Sequence, residues 1–207
     1  IKLKKALNKQ TILVSIMYAN NETGIIQPIV EISKIIKNFR KINNSLYPLF
    51  HTDAVQAFQF LDCDVDKLGV DLMTLSAHKI YGPKGVGGLY IKNSKHEARN
   101  SKQILNSKFE IQNKNVSDFG FRISDLQQLV KPIVIGGGQE FGLRSGTENM
   151  AGIAGFAKAV ELVVKNREKE EKRSSELADY FWKEIKKFYP SARINGPEIC
   201  AKNRLPN

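Results

Sequence analysis

Val70-Asp71-Leu72-Met73-Thr74-Leu75-Ser76-Ala77-His78-Lys79 is a short apolar run that ends in a hydroxyl, an imidazole and an amine, just ahead of Gly82, Pro83, Gly85, Gly87 and Gly88. Residues 72–75 read as a buried strand, the glycines force a turn, and residues 89–91 supply another strand that could pair antiparallel to its neighbour. Upstream, residues 11–18 (TILVSIMY) are nearly continuous apolar sequence, the pattern of a strand buried on both faces, and end in the turn-rich Asn20-Asn21-Glu22-Thr23-Gly24. Ile29, Ile32, Ile35, Ile36 and Phe39 recur at helical spacing, and residues 48–52 read as a further buried strand. Strands alternating with an amphipathic helix place the chain in the α/β class with a mostly parallel sheet.

Downstream, residues 93–130 turn to Lys, Asn, Ser and Gln with weak periodicity, which predicts a basic surface insertion with poor order. A helical pattern begins near Asn149, with Ile153, Phe156, Val160, Val163 and Val164 on one side. It passes through the charge-dense segment 165–173 and regains an apolar face at Leu177, Tyr180, Phe181, Ile185 and Phe188. The expected organisation is a large domain over residues 1–165, then a linker helix and the start of a smaller domain over 166–207. Ile1 is not an initiator methionine and the chain stops just after Pro206, so both ends read as cuts through a larger fold.

Composition narrows the function. The 207 residues are 42% hydrophobic and 26% charged, ordinary for a soluble globular protein, and no apolar run approaches the roughly 18–20 residues of a membrane span. Cys63 and Cys200 stand far apart without Cys/His ligand spacing, which argues against a disulfide framework or a metal site and points to a reducing cytoplasm. The net charge of +11 comes from scattered lysines with no nucleic-acid motif, so nucleic acid is not expected as a direct ligand.

Three segments carry chemistry. Lys79 sits at a strand end beside Ser76 and His78, where an amine can condense with an aldehyde while the hydroxyl and imidazole bind an anion; the plainer reading is a solvated lysine by a turn. Asp53 ends the preceding strand, where a carboxylate either pairs with a protonated pyridine nitrogen or caps the following AVQAF segment. The glycine-rich loop 136–149 precedes a helix, so its amides suit phosphate, unless it is a connecting turn with Thr147 as the N-cap.

Together YANNETG (18–24), HTDAVQ (51–56), SAHKIYGPKGVGGLYI (76–91) and GGGQEFGLRSGTEN (136–149), in that order, resemble the cysteine desulfurases, the aminotransferase class V group that includes selenocysteine lyases. The resemblance implies part of the three-layer large domain of a fold type I pyridoxal-phosphate enzyme, followed by the beginning of a smaller α+β domain. It implies pyridoxal 5'-phosphate as cofactor. Lys79 matches the lysine that holds it and acts as catalytic base, and Asp53 the acid at its ring nitrogen. Gln56 and Asn21 match residues near its phenolic oxygen, Val55 one that packs on the ring, and Ser76 and His78 residues on its phosphate side. Thr147 matches a threonine that reaches the phosphate of the other subunit, so a homodimer with a shared site is implied.

The implied reaction converts L-cysteine to L-alanine and passes sulfur as an enzyme persulfide to an acceptor or scaffold protein, for iron–sulfur cluster assembly or tRNA thiolation. Neither Cys63 nor Cys200 matches the family's nucleophile, and both read as structural or incidental. The family's ring-stacking histidine and substrate-carboxylate arginine have no counterpart here, so these 207 residues alone are expected to be inactive. Two rivals stand beside this reading: a selenocysteine lyase or other class V enzyme, and a non-catalytic interaction module.

Overall fold

The computed structural model describes residues 2–92 and 130–206. The basic insertion expected at 93–130 lies, but for its last residue, outside them. The chain separates into two compact units, one formed by Ile1–Tyr90 with Asn149–Asn207 and the other by Ile91–Glu148.

In the first unit a short helix α1 (Lys2–Ala6) leads into strand β1 (Leu13–Met17), helix α2 (Ile29–Asn43), strand β2 (Leu49–Asp53), helix α3 (Val65–Leu68) and strand β3 (Leu72–Ser76). Strand β4 (Gly87–Ile91) follows, and then, beyond the second unit, helix α4 (Met150–Phe188). The sheet order is β1-β2-β3-β4, with β1 parallel to β2 and β2 parallel to β3. This is the mostly parallel α/β arrangement that the sequence predicts.

The strands form because alternate residues have somewhere to go. Val14 of β1, Phe50 and Thr52 of β2, and Met73 of β3 are buried, and the apolar ones join Ile29, Ile32 and Ile36 of α2 in one core. Phe50 is 1% exposed, so truncating it to alanine would cost about 3–5 kcal/mol. The polar members of that layer are matched: Thr52 Oγ1 donates to the Ile16 carbonyl at 2.9 Å, and Ser33 Oγ donates to the Gly69 carbonyl at 2.7 Å.

Helix α2 ends on Asn44 in the left-handed conformation (φ 45°), a role that asparagine fills at low cost. Helix α3 is a finding that periodicity did not show: Asp64 caps it, accepting from the amides of Asp66 and Lys67. Helix α4 runs unbroken for 39 residues through the charged segment, and its Ala159 and Val163 bury against Ile80, with Phe58, Phe156 and Val160 around them. Its N-terminal half thus braces the turn that follows β3. Among the described residues no helix is long and apolar enough to cross a membrane.

Beyond residues 91–92, the described part of the second unit, residues 130–148, is a looped segment with one 3-10 turn, Glu140–Gly142. Ser145 is buried; its amide bonds to the Val134 carbonyl at 3.1 Å and its hydroxyl accepts from Gly138 N–H at 3.4 Å.

Candidate functional site

Because β1, β2 and β3 are parallel, their C-terminal ends share one edge of the sheet, the edge at which open α/β sheets bind ligands. Backbone bonds join the three ends: Tyr18 N–H to the Asp53 carbonyl at 2.8 Å, and Ala54 N–H to the Thr74 carbonyl at 3.1 Å. Each strand then delivers chemistry from the loop that follows it.

After β1, Asn20 builds the turn, its Oδ1 accepting from the amides of Glu22 and Thr23 and from the Thr23 hydroxyl at 2.8–3.0 Å. Asn21 stands exposed in that turn. After β2 comes Asp53, half-buried, whose Oδ1 accepts the Val55 amide at 2.9 Å. The carboxylate therefore does cap the local turn, and its remaining valences and charge are what a ring nitrogen would meet. Val55 and Gln56 follow, both half-buried.

After β3 the chain enters a single 3-10 turn, Ala77–Ile80, that exposes His78 and Lys79 and buries Ala77 and Ile80. Ser76 Oγ lies 2.9 Å from His78 Nδ1. The Ala77 carbonyl accepts from both Tyr81 and Gly82, and its own N–H bonds to the Val86 carbonyl at 3.0 Å. Tyr81 is left-handed (φ 62°), a conformation that costs a non-glycine residue about 1–2 kcal/mol; its hydroxyl accepts from Gln59 Nε2 at 2.9 Å. Gly87 lets β4 come close, since a Cβ there would stand 2.8 Å from the Leu75 carbonyl.

The strand edge thus brings Asn21, Asp53, Val55, Gln56, Ser76, His78 and Lys79 to one side of the first unit, whereas Thr147 is exposed in the second. Thr147 is not the N-cap of α4. Asn149 is, its Oδ1 accepting from Gly152 N–H at 3.0 Å. Among the described residues no cluster of three or more His, Cys, Asp or Glu is placed to hold a metal.

Two side chains near the edge carried no role in the sequence reading. Tyr81 is one. The other is His51, whose Nδ1 lies 2.8 Å from Ser15 Oγ on the neighbouring strand and whose Nε2 is buried without a partner among the described residues. Burial lowers its pKa, and the nearby Asp53 carboxylate opposes that shift without cancelling it. Of the cysteines, Cys63 is buried and its thiol is pushed up to about 12 by burial, while Cys200 is exposed.

The donor set at the edge fits pyridoxal 5'-phosphate. An exposed primary amine can hold an aldehyde, a carboxylate can face a protonated ring nitrogen, and a hydroxyl–imidazole pair can donate to a phosphate. The aminotransferase class V family profile matches residues 1–205. The chain is 44% identical over 205 residues to the cysteine desulfurase IscS of Dictyoglomus turgidum, a match over 99% of this chain and 41% of that protein. It superposes on a solved NifS-like protein with TM-score 0.73 at 33% identity, covering all of this chain and 45% of the other. A second structure, SspA in complex with cysteine, matches 77% of this chain and 35% of its own length, with TM-score 0.53 and 36% identity. The chain therefore spans about two-fifths of the length of the curated relatives it matches. With the fold and these likenesses in agreement, the chain belongs to the aminotransferase class V family.

Proposed function

We propose that the full-length protein is a cysteine desulfurase, converting L-cysteine to L-alanine and passing the sulfur to a thiol as a persulfide. The observation that carries this is the shared C-terminal edge of β1, β2 and β3, from which Asp53, the Ser76–His78 pair and Lys79 all emerge. When bound, pyridoxal phosphate supplies an electron-withdrawing ring that stabilises negative charge on the substrate α-carbon. Asp53 would keep the ring nitrogen protonated through its negative charge. Lys79 would hold the aldehyde, and its amine is the group placed to act as general base toward the substrate α-proton. Ser76 and His78 would donate to the phosphate, Val55 would pack on the ring, and Asn21 and Gln56 would serve the phenolic oxygen.

Cys63 is unsuited to accept the sulfur, because a buried thiol held near 12 supplies almost no thiolate at neutral pH. Thr147 serves the phosphate of a second subunit, and the working form is a homodimer that hands sulfur to an acceptor or scaffold protein for cluster assembly or tRNA thiolation. The enzyme works in the cytoplasm, and its large and small domains meet near residues 165–166, within α4.

The test is an assay of the full-length protein for alanine and persulfide formed from L-cysteine. Lys79→Ala should abolish turnover, and Lys84→Ala should preserve it. Borohydride reduction should leave the cofactor label on Lys79; a label on Lys84 would overturn the assignment.

A further inference from the structure

His51 and Asp53 are two residues apart on β2 and so point to the same face of the sheet, opposite the face through which Phe50 and Thr52 enter the core. The register pairs Ser15 with His51 and Met17 with Asp53 on one side, and Leu72 with His51 and Thr74 with Asp53 on the other. None of these four cross-strand neighbours is ionisable. Ser15 Oγ engages His51 Nδ1 at 2.8 Å, while Nε2 is buried without a partner among the described residues. An imidazolium needs an acceptor at both nitrogens, and the described residues provide only one, so the neutral ring is the form that this setting accommodates.

A neutral ring at this place matters because of where the charge of Asp53 goes. Were His51 charged, its cation would lie two residues from the carboxylate and would compete with any other positive group for it. We propose that His51, held by Ser15, is the positioning residue that keeps positive charge away from Asp53, so that the carboxylate is matched to the protonated ring nitrogen of the cofactor. This rests on the cofactor reading above. His51 touches no reacting atom in this role and acts through Asp53.

The test measures binding in the full-length protein, by equilibrium dialysis at pH 7, of two ligands: pyridoxal phosphate and its analogue with carbon in place of the ring nitrogen. His51→Lys, which puts a cation in place of the ring, should weaken pyridoxal phosphate by about tenfold or more and the analogue by less than about twofold. His51→Asn, which stays neutral, should change neither by more than about threefold. Equal losses for both ligands in His51→Lys would show a merely structural role and overturn the proposal, as would no loss for either. Should His51→Lys fail to fold, nitrogen NMR of the wild-type ring decides: a neutral tautomer at pH 7 is expected, and an imidazolium overturns the proposal. Wild-type protein that binds neither ligand would defeat the cofactor reading itself, an outcome distinct from unequal or equal losses among variants.

Discussion

Arg40 of α2 and Asp71, just ahead of β3, form a two-pronged ion pair, with Nη1 on Oδ1 at 3.3 Å and Nη2 on Oδ2. Asp71 Oδ2 also accepts the Phe50 amide at 2.7 Å, and Arg40 Nε donates to the Pro48 carbonyl at 2.8 Å. The pair ties helix α2 to the starts of both central strands. With side chains only 17% and 19% exposed, it is sheltered enough to matter.

Asp71→Ala should therefore lower stability by about 3 kcal/mol, because it strands a largely buried guanidinium and frees a strand amide. Urea unfolding is the check. Lys67→Ala, which breaks the exposed pair with Asp62, should leave the midpoint unchanged within error. Equal losses in the two variants would contradict the assignment of the Arg40 pair to the core.

Cys63 should be silent to alkylation at pH 8 in the folded protein, where a thiol near 12 is ionised in about one molecule in ten thousand, while the exposed Cys200 reacts. The same shift has a consequence for stability. The folded thiol ionises only near 12 and the unfolded one near 9, so its contribution is whole below pH 9 and declines by about 1.4 kcal/mol per pH unit between these values. Cys63→Ala should flatten the alkaline arm of a stability-versus-pH curve.

Asp53 carries two tasks that one substitution can separate. Asp53→Asn keeps an oxygen for the Val55 amide and removes the charge. It should unfold like the wild type yet lose about 100-fold or more in desulfurase turnover. Near-normal turnover would leave Asp53 as a turn cap only.

Thr147 should show its role in mixtures. Lys79→Ala and Thr147→Ala full-length proteins, each inactive, should recover up to roughly a quarter of wild-type activity when subunits exchange, because a heterodimer holds one site with both residues intact. Native mass spectrometry that finds heterodimers without recovered activity would count against a shared site.

What the sequence revealed follows from the range of the signal. Strands β1 to β3 and helix α2 were legible because their apolar patterns are long and their neighbours punctuate them. Helix α3 was not, since four residues make barely one turn, too few for an apolar spacing to repeat. Thr147 and Asn149 are both good caps two residues apart, and reach decided between them: Asn149 meets Gly152 N–H. Lys79 and Asp53 could be read as strand-end residues. The contact between Ser15 and His51 could not, because it depends on the register of two strands separated by 36 positions. Nor could the left-handed Tyr81, which no local preference predicts and which the closed turn at Ala77 imposes.

That closed turn makes an alanine the keystone of the lysine's address. Ala77 is fully buried, its carbonyl is shared by two amides and its own amide is tied across to Val86. None of these links involves the Lys79 side chain. Removing the amine therefore leaves the scaffold that presented it standing, and a Lys79→Ala protein is a vacant seat in an intact frame, suited to rescue by small amines supplied in solution. Enlarging Ala77 would do the reverse, keeping every reactive group while misplacing the one that matters.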